Sequence, residues 1–278
     1  MSIINYSAPR QLLVTARGHP YERDAFVALL DDLDDFGWSL VEQPAAARLL
    51  NPSLVGEYAA CLCYDMPGVD FTAADAPGLV APDTGFQEGY LALLEAGMGM
   101  VFMHHSIAAW PAWPEYAEIV GGRFHYRAAE LRGRSWPDSG YRHKVTHRVS
   151  VLGDHPVTAG LPGTFEMTDE LYLCPVFEDS VEPLLRSDYS FEDANFYSAQ
   201  RAVQGEMYSR EGWQHPPGCS LVGWVKHYRN SPIVYLQGGD DAEAYANPHF
   251  RSLLHNAIRW VASDAAHAWA RARHAQEK

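Results

Sequence analysis

Cysteine is scarce in this chain: Cys61, Cys63, Cys174 and Cys219 are the four thiols in 278 residues. No C-x-x-C pair is present, so a cysteine zinc site and a thioredoxin-type redox motif are not indicated. Cys61 and Cys63 alternate within one apolar run and face one side of a strand, poor geometry for a disulfide. Such usage fits reduced thiols and predicts a cytoplasmic protein. Positive charge is also in short supply. Lys+Arg 21 against Asp+Glu 35 leaves a net charge of −14, which argues against nucleic acid or an anionic membrane as partner. No apolar run approaches the ~18 residues that a membrane span needs. Met1 to Leu12 lacks the basic start and apolar stretch of a signal peptide. Phosphate-cradling G-x-x-x-x-G-K-[ST] and dinucleotide G-x-G-x-x-G runs are missing. Repeats, low-complexity tracts and Ser/Gly linkers are absent too, so residues 1–278 read as one domain, with 263–278 a helical extension or tail.

What is present is an ordinary globular composition, 47% hydrophobic, with strands and helices in alternation. Buried strands are expected at Gln11–Thr15, Trp38–Val41, Tyr58–Tyr64, Met100–Met103 and Pro232–Leu236. His147–Leu152 alternates like a half-buried strand, and Val181–Tyr189 reads as a strand pair or a strand and turn. Helices are expected over Glu22–Leu33, Phe86–Ala96 with Gly97 as C-cap, Pro114–Val120, and Asn247–Trp260 with Asn247 as N-cap. This order predicts an α/β fold with a mostly parallel central sheet and helices on both faces.

The most informative stretch is Gly97-Met-Gly-Met-Val-Phe-Met-His104-His105-Ser106, an apolar strand ending in two imidazoles and a hydroxyl. A parallel strand delivers its next residues to the carboxyl edge of the sheet, where open α/β folds hold their ligands. Three more clusters follow expected strands: Arg17-Gly-His19, Tyr64-Asp65 and Gln237-Gly-Gly-Asp240-Asp241. These ends converge on one crevice if the sheet is parallel. Asp169-Glu170-Leu-Tyr172 sits in a turn-rich stretch. Adjacent carboxylates cannot both point at one site on a regular element, so one is expected at the site and the other in a structural role. The strand-to-helix elbow carries His104-His105-Ser106 with no cysteine near it, which excludes a cysteine nucleophile there. A G-x-S-x-G serine elbow is absent as well.

At these residues the chain resembles the ThuA-like, trehalose-utilisation family. The similarity runs in order from Gly18-His19 through the Gly-x-Gly strand to His104, Gly121-Gly122-Arg-Phe124, Asp154-His155-Pro156, Gly160-Leu161, Asp169-Glu170-Leu-Tyr172, Trp224 and Pro248–Trp260. The resemblance implies a three-layer, flavodoxin-like fold similar to class I glutamine amidotransferases without their cysteine. It also implies a link to disaccharides or keto-sugars. His104 and Glu170 match the family's His and carboxylate, and His19 an N-terminal His of many members. The chain departs after its last strand, with Gly238-Gly239-Asp240 where the family reads Gly-His-Asp/Glu.

Three readings stay open. The first is an enzyme working on a carbohydrate by acid–base chemistry, with His104, His105, Glu170 and Asp240 as catalytic candidates. His19, Asp65, Ser106, Trp110, Trp113 and Tyr172 are its candidate substrate contacts, the aromatic loop Trp110–Trp113 walling the cleft. A divalent metal such as zinc, held by His19 and His104, belongs to this reading as an option. The second is a sugar-binding or regulatory protein without turnover, favoured by the missing His at Gly239. A third, weaker one is an oxidoreductase subunit that borrows a nicotinamide from a partner. A homodimer is the base-rate expectation.

Overall fold

The computed structural model describes residues 7–277. Met1–Tyr6 and Lys278 lie outside the described residues, and with them half of the segment on which the signal-peptide reading rests. The strands are β1 (Arg10–Arg17), β2 (Phe36–Glu42), β3 (Ala60–Asp65), β4 (Val69–Asp70), β5 (Gly78–Leu79), β6 (Met100–Met103), β7 (Ala129–Leu131), β8 (Arg134–Trp136), β9 (Gly140–Val151), β10 (Thr164–Leu173), β11 (Glu182–Ser187), β12 (Tyr197–Ser198), β13 (Leu221–Tyr228) and β14 (Ser231–Leu236). The helices are α1 (Arg23–Asp31), α2 (Thr84–Ala96), α3 (Pro114–Val120), α4 (Ala199–Val203), α5 (Ala242–Ala246), α6 (Pro248–Val261) and α7 (Asp264–Glu277).

Ten strands form one sheet in the order β10-β9-β11-β13-β14-β6-β3-β1-β2, with β12 added on β9. Neighbours from β14 to β2 are parallel, and those from β13 to β10 antiparallel. β4 with β5 and β7 with β8 make two small hairpins outside it.

Alternation along the parallel strands supplies both faces. Leu12, Val14, Leu62, Val101 and Met103 pack with Phe26 and Leu30 of α1 and Phe250 and Leu254 of α6. Leu13, Cys61, Met100, Phe102 and Ile233 pack on the other side with Tyr90 and Leu94 of α2 and Tyr116 and Ile119 of α3. Each fully buried Leu or Phe adds roughly 1.5–3 kcal/mol by leaving water, so the layers outweigh any one polar contact. The start of α6 and the end of α2 follow the sequence signals. The Asn247 side chain accepts from His249 and Phe250 N–H, Pro248 opens α6, and Gly97 closes α2 at φ 95°. Among the described residues no helix is long and apolar enough to cross a membrane.

Two expectations need correction, and one strand gave no expectation at all. Asp169 and Glu170 lie inside the ten-residue strand β10 and not in a turn-rich stretch. The run Thr168-Asp169-Glu170 hid the strand because its polar side chains are held by partners from other elements. The half-buried strand starts at Gly140 and not at His147. β13 carries no alternation signal, because six residues from Leu221 are all buried; a strand covered on both faces has no polar face to reveal it.

Candidate active site

The site lies at the carboxyl end of the parallel strands. β6 ends at Met103, and His104 takes a left-handed φ of 51° at the start of a short 3-10 turn. That backbone is costly for a residue with a Cβ and is found where surrounding structure imposes it. Here the imposition is visible. Tyr235 Oη donates to His104 O at 3.1 Å, and His104 Nδ1 donates to Gln237 O at 2.7 Å. A carbonyl accepts only, so the proton on Nδ1 is fixed and Nε2 is aimed at the remaining groups. Nε2 lies 2.7 Å from Tyr172 Oη, 3.1 Å from Glu170 Oε2 and 3.3 Å from Asp240 Oδ1.

Glu170 is reached by a second imidazole that sequence reasoning missed. His143 Nε2 sits 2.9 Å from Glu170 Oε1. Its delivery depends on a β-bulge. Val145 pairs with Asp169 and Arg142 with Leu171, so His143 and Lys144 together oppose Glu170 alone. Lys144 absorbs the extra residue at φ 54°. Bulges of this kind re-aim side chains beside functional sites. The signal for His143 was weak, since the bulge breaks the alternation that would have extended the strand back to it.

Asp169 and Glu170 part company as adjacent strand residues must. Asp169 accepts backbone N–H groups from Gly239 at 2.6 Å, Asp240 at 3.1 Å and Glu170 at 2.8 Å. It therefore holds the 238–240 loop, and through it the Asp240 carboxylate, against His104. Tyr64 Oη donates to Gly239 O at 2.8 Å and pairs with Tyr245 Oη at 2.6 Å. Gly239 has φ 112°, and a Cβ there would meet Met103 Cε at 2.9 Å and Phe250 Cζ at 3.1 Å. The positive φ strains any side chain at that position; the second imidazole facing Glu170 arrives from β9.

Burial by itself would strip the proton from His104. The hydrogen bonds and charges of Asp240 and Glu170 outweigh it and hold the imidazolium well above the ordinary histidine value. Burial likewise opposes charge on Asp240 and Glu170, but His104, with His143 at Glu170, pulls both below the usual carboxylate range. His143 is raised, chiefly by its hydrogen bond to Glu170. Burial pushes Asp169 up to about 7 against its three N–H donors.

The remaining candidates are placed as follows. His19 donates Nδ1–H to Pro20 O at 2.8 Å and stacks on His105 with centroids 4.5 Å apart. Its pKa is lowered, first by burial and then by His104. His105 gives Nε2–H to Tyr64 O at 3.0 Å, which leaves Nδ1 buried without a partner, and Ser106 Oγ is unpartnered as well. Both are sealed under the site and not open to the cleft. Asp65 is committed to Thr15 and Gln43, each at 2.6 Å, and so serves the sheet end rather than the His104 cluster. Trp110 and Trp113 do not wall the cleft. They pack on Phe86, Tyr90 and Tyr116, and Arg123 ties down their backbone carbonyls. The cleft beside Glu170 is lined by His19, His143, Phe124, Tyr126, Tyr141 and Tyr172, with Met207 and two alanines of the α4 segment.

Three ligand-type atoms, on His104, Glu170 and Asp240, lie within 4.8 Å of one another, and His19 is not among them. The donor set suits a borderline divalent ion such as zinc. The Nδ1 hydrogen bond to a carbonyl is the outer-shell support that metal-bound imidazoles show.

The comparisons agree with this architecture. A family model described as ThuA, trehalose utilisation, matches residues 79–261, well over half of the chain. A ThuA-like protein from Parabacteroides merdae is 16% identical over 92% of this chain and 90% of its own, with a TM-score of 0.60. One from Bacteroides uniformis is 18% identical over 94% of each chain, also at 0.60. PurLQS from Thermotoga maritima is 12% identical over 91% of this chain and 99% of its own, at 0.50. The fold is class I glutamine amidotransferase-like. No curated protein matches the chain significantly.

Proposed function

The chain belongs to the ThuA, trehalose-utilisation family, and from that premise we propose that it is an enzyme moving a proton on a disaccharide or keto-sugar. The observation that carries this reading is Glu170 held between two imidazoles, His104 at 3.1 Å and His143 at 2.9 Å. Side-chain exposure sorts their roles: His104 is 0% exposed, Glu170 4%, Asp240 20% and His143 34%. A sugar in the cleft meets His143, Glu170 and the Tyr172 hydroxyl, while His104 stands behind them. The carboxylate or His143 takes a proton from the carbon next to a sugar carbonyl. The electron pair moves onto the carbonyl oxygen, where the Tyr172 O–H stabilises it. Returning the proton to the former carbonyl carbon, while the neighbouring hydroxyl passes its own proton to the first oxygen, gives isomerisation; breaking the C–O bond on the next carbon, with the oxygen leaving with that proton, gives elimination. Neither outcome needs a nucleotide or an oxidant. General acid–base assistance of this kind contributes about 10²–10⁴ in rate.

A second reading rests on the same three atoms. An ion bound to Nε2 of His104, Glu170 and Asp240 would polarise a sugar oxygen. Ion and proton exclude each other at Nε2, because Nδ1 already carries its hydrogen. One experiment separates the readings: metal content and turnover of a keto-disaccharide panel, for the protein and for His104→Ala. The proton reading expects no retained metal, and turnover in the variant reduced by about two to four orders of magnitude. Near-stoichiometric metal lost in His104→Ala favours the ion. Unchanged turnover in a folded His104→Ala overturns both, and sugar binding without turnover points to a receptor.

A further inference from the structure

The cleft beside Glu170 encloses about 120 Å³. That is the share of roughly four liquid waters, far below the ~300 Å³ at which small-molecule pockets begin. One sugar ring cannot be fully enclosed there, and two rings must lie largely across its mouth. The segment 204–212, which follows α4, reaches the cleft through Met207. It presents Met207 at 49% and Tyr208 at 57% exposure, the latter the most exposed of the large hydrophobic side chains in the described structure.

Tyr208 is also strained, with φ 62° in the left-handed region. The strain is held by tethers. Tyr208 N–H donates to Tyr141 Oη at 2.9 Å, Ser198 N–H to Ser209 O at 3.0 Å and Glu206 N–H to Arg201 O at 2.9 Å. Gly205 and Gly212, at φ 91° and 65°, bound the segment. The ring stands 6.0 Å from that of His143 and 6.3 Å from that of Tyr141, centroid to centroid. A strained backbone that keeps an aromatic face in water beside a site is the arrangement of a ligand clamp.

Resting on the sugar reading above, we propose that Tyr208, with Met207 beside it, is the platform for a second sugar ring at the cleft mouth. A pyranose has an apolar C–H face that stacks on an aromatic side chain and a rim of hydroxyls left free for polar groups. The ring that reacts lies at His143 and Glu170, and the outer ring lies on Tyr208. The platform makes the site selective for disaccharides over monosaccharides.

The test is calorimetric binding of trehalose, the two-ring probe, and glucose, the one-ring probe. The proteins are wild type, Tyr208→Ala, Tyr208→Trp and Tyr208→Gly. Glycine accepts the φ of this position, so Tyr208→Gly removes the ring while preserving the fold. Loss of about tenfold in trehalose affinity in Tyr208→Gly and Tyr208→Ala is expected, the size of one aromatic contact. Glucose binding stays unchanged, and Tyr208→Trp keeps trehalose. Equal trehalose binding in all four proteins, or equal losses for both sugars, overturns the platform and leaves the proton chemistry to its own assay. No trehalose binding by wild type overturns the platform and the disaccharide assignment together.

Discussion

Glu170 is the residue on which the site turns. It is a buried carboxylate, and burying such a charge is costly unless partners surround it. Its partners are two imidazoles, one sealed and one open to the cleft. His143 is the open one, so the account gives it the proton that meets substrate. His143→Ala is expected to lower kcat by about 10²–10⁴ and leave His104 and the fold in place. Added imidazole, small enough to enter the vacated space, restores part of that rate. Steady-state kinetics with and without imidazole check this; a His143→Ala enzyme with full kcat removes His143 from the chemistry. Residue-level reading of the sequence found His104, Glu170, Asp240 and Tyr172, which the structure brings together around Nε2 of His104. It assigned Asp65, Trp110 and Trp113 to the cleft because residue type and position after a strand do not reveal which way a side chain is committed. Asp65 is taken by Thr15 and Gln43, and the tryptophans by α2 and α3.

At the scale of elements, the parallel half of the sheet was legible, since its strands are short apolar runs closed by Gly, Pro and Asp. The antiparallel half was less so. β10 carries the site carboxylates within it, β9 is broken by a bulge, and β13 is buried on both faces. That half nonetheless positions Glu170, His143 and Tyr172. The bulge itself is testable. Lys144 has φ 54°, and its ion pairs with Asp241 and Glu243 involve a 59% exposed side chain, so they add little. Lys144→Gly is expected to change stability by no more than about 1 kcal/mol, strain relief offsetting lost chain stiffness, with activity kept. Deleting Lys144 removes the bulge and puts His143 directly opposite Glu170 in regular pairing, which straightens the strand and takes the imidazole out of its present line to the carboxylate. A folded deletion variant with wild-type turnover would contradict the role given to the bulge; urea unfolding and a rate assay read both changes.

The whole molecule is acidic, with a net charge of −14, yet its buried site concentrates groups that hold protons. The sign of each shift fixes how stability varies with pH. Asp169, at about 7 in the fold against ~3.9 unfolded, takes up a proton on folding, and its stabilising contribution is lost as pH rises through about 7. His104 is raised, so its contribution is complete below the unfolded histidine value and is lost as pH rises through the folded one. Glu170 and Asp240 are lowered; their contribution is present above the unfolded carboxylate values and is lost in acid. Buried histidines pull the other way: burial lowers His105, His125 (to about 3) and His147 (to about 4), so each stays neutral in the fold and stability is lost as pH falls through the unfolded value of ~6.5. Maximum stability is therefore expected close to neutrality. Urea unfolding free energies across pH 3–9 check this, and a maximum at or below pH 5 would contradict the protonation pattern.

The central claim is that the His104–Glu170–His143 array exchanges a carbon-bound proton of a sugar. Its most direct test is NMR of keto-disaccharides incubated with the protein in deuterated water, beside Glu170→Gln. The account predicts deuterium at the carbon next to the carbonyl, with the variant slower by about 10²–10⁴. No incorporation by the wild-type protein, or equal incorporation by Glu170→Gln, would contradict it.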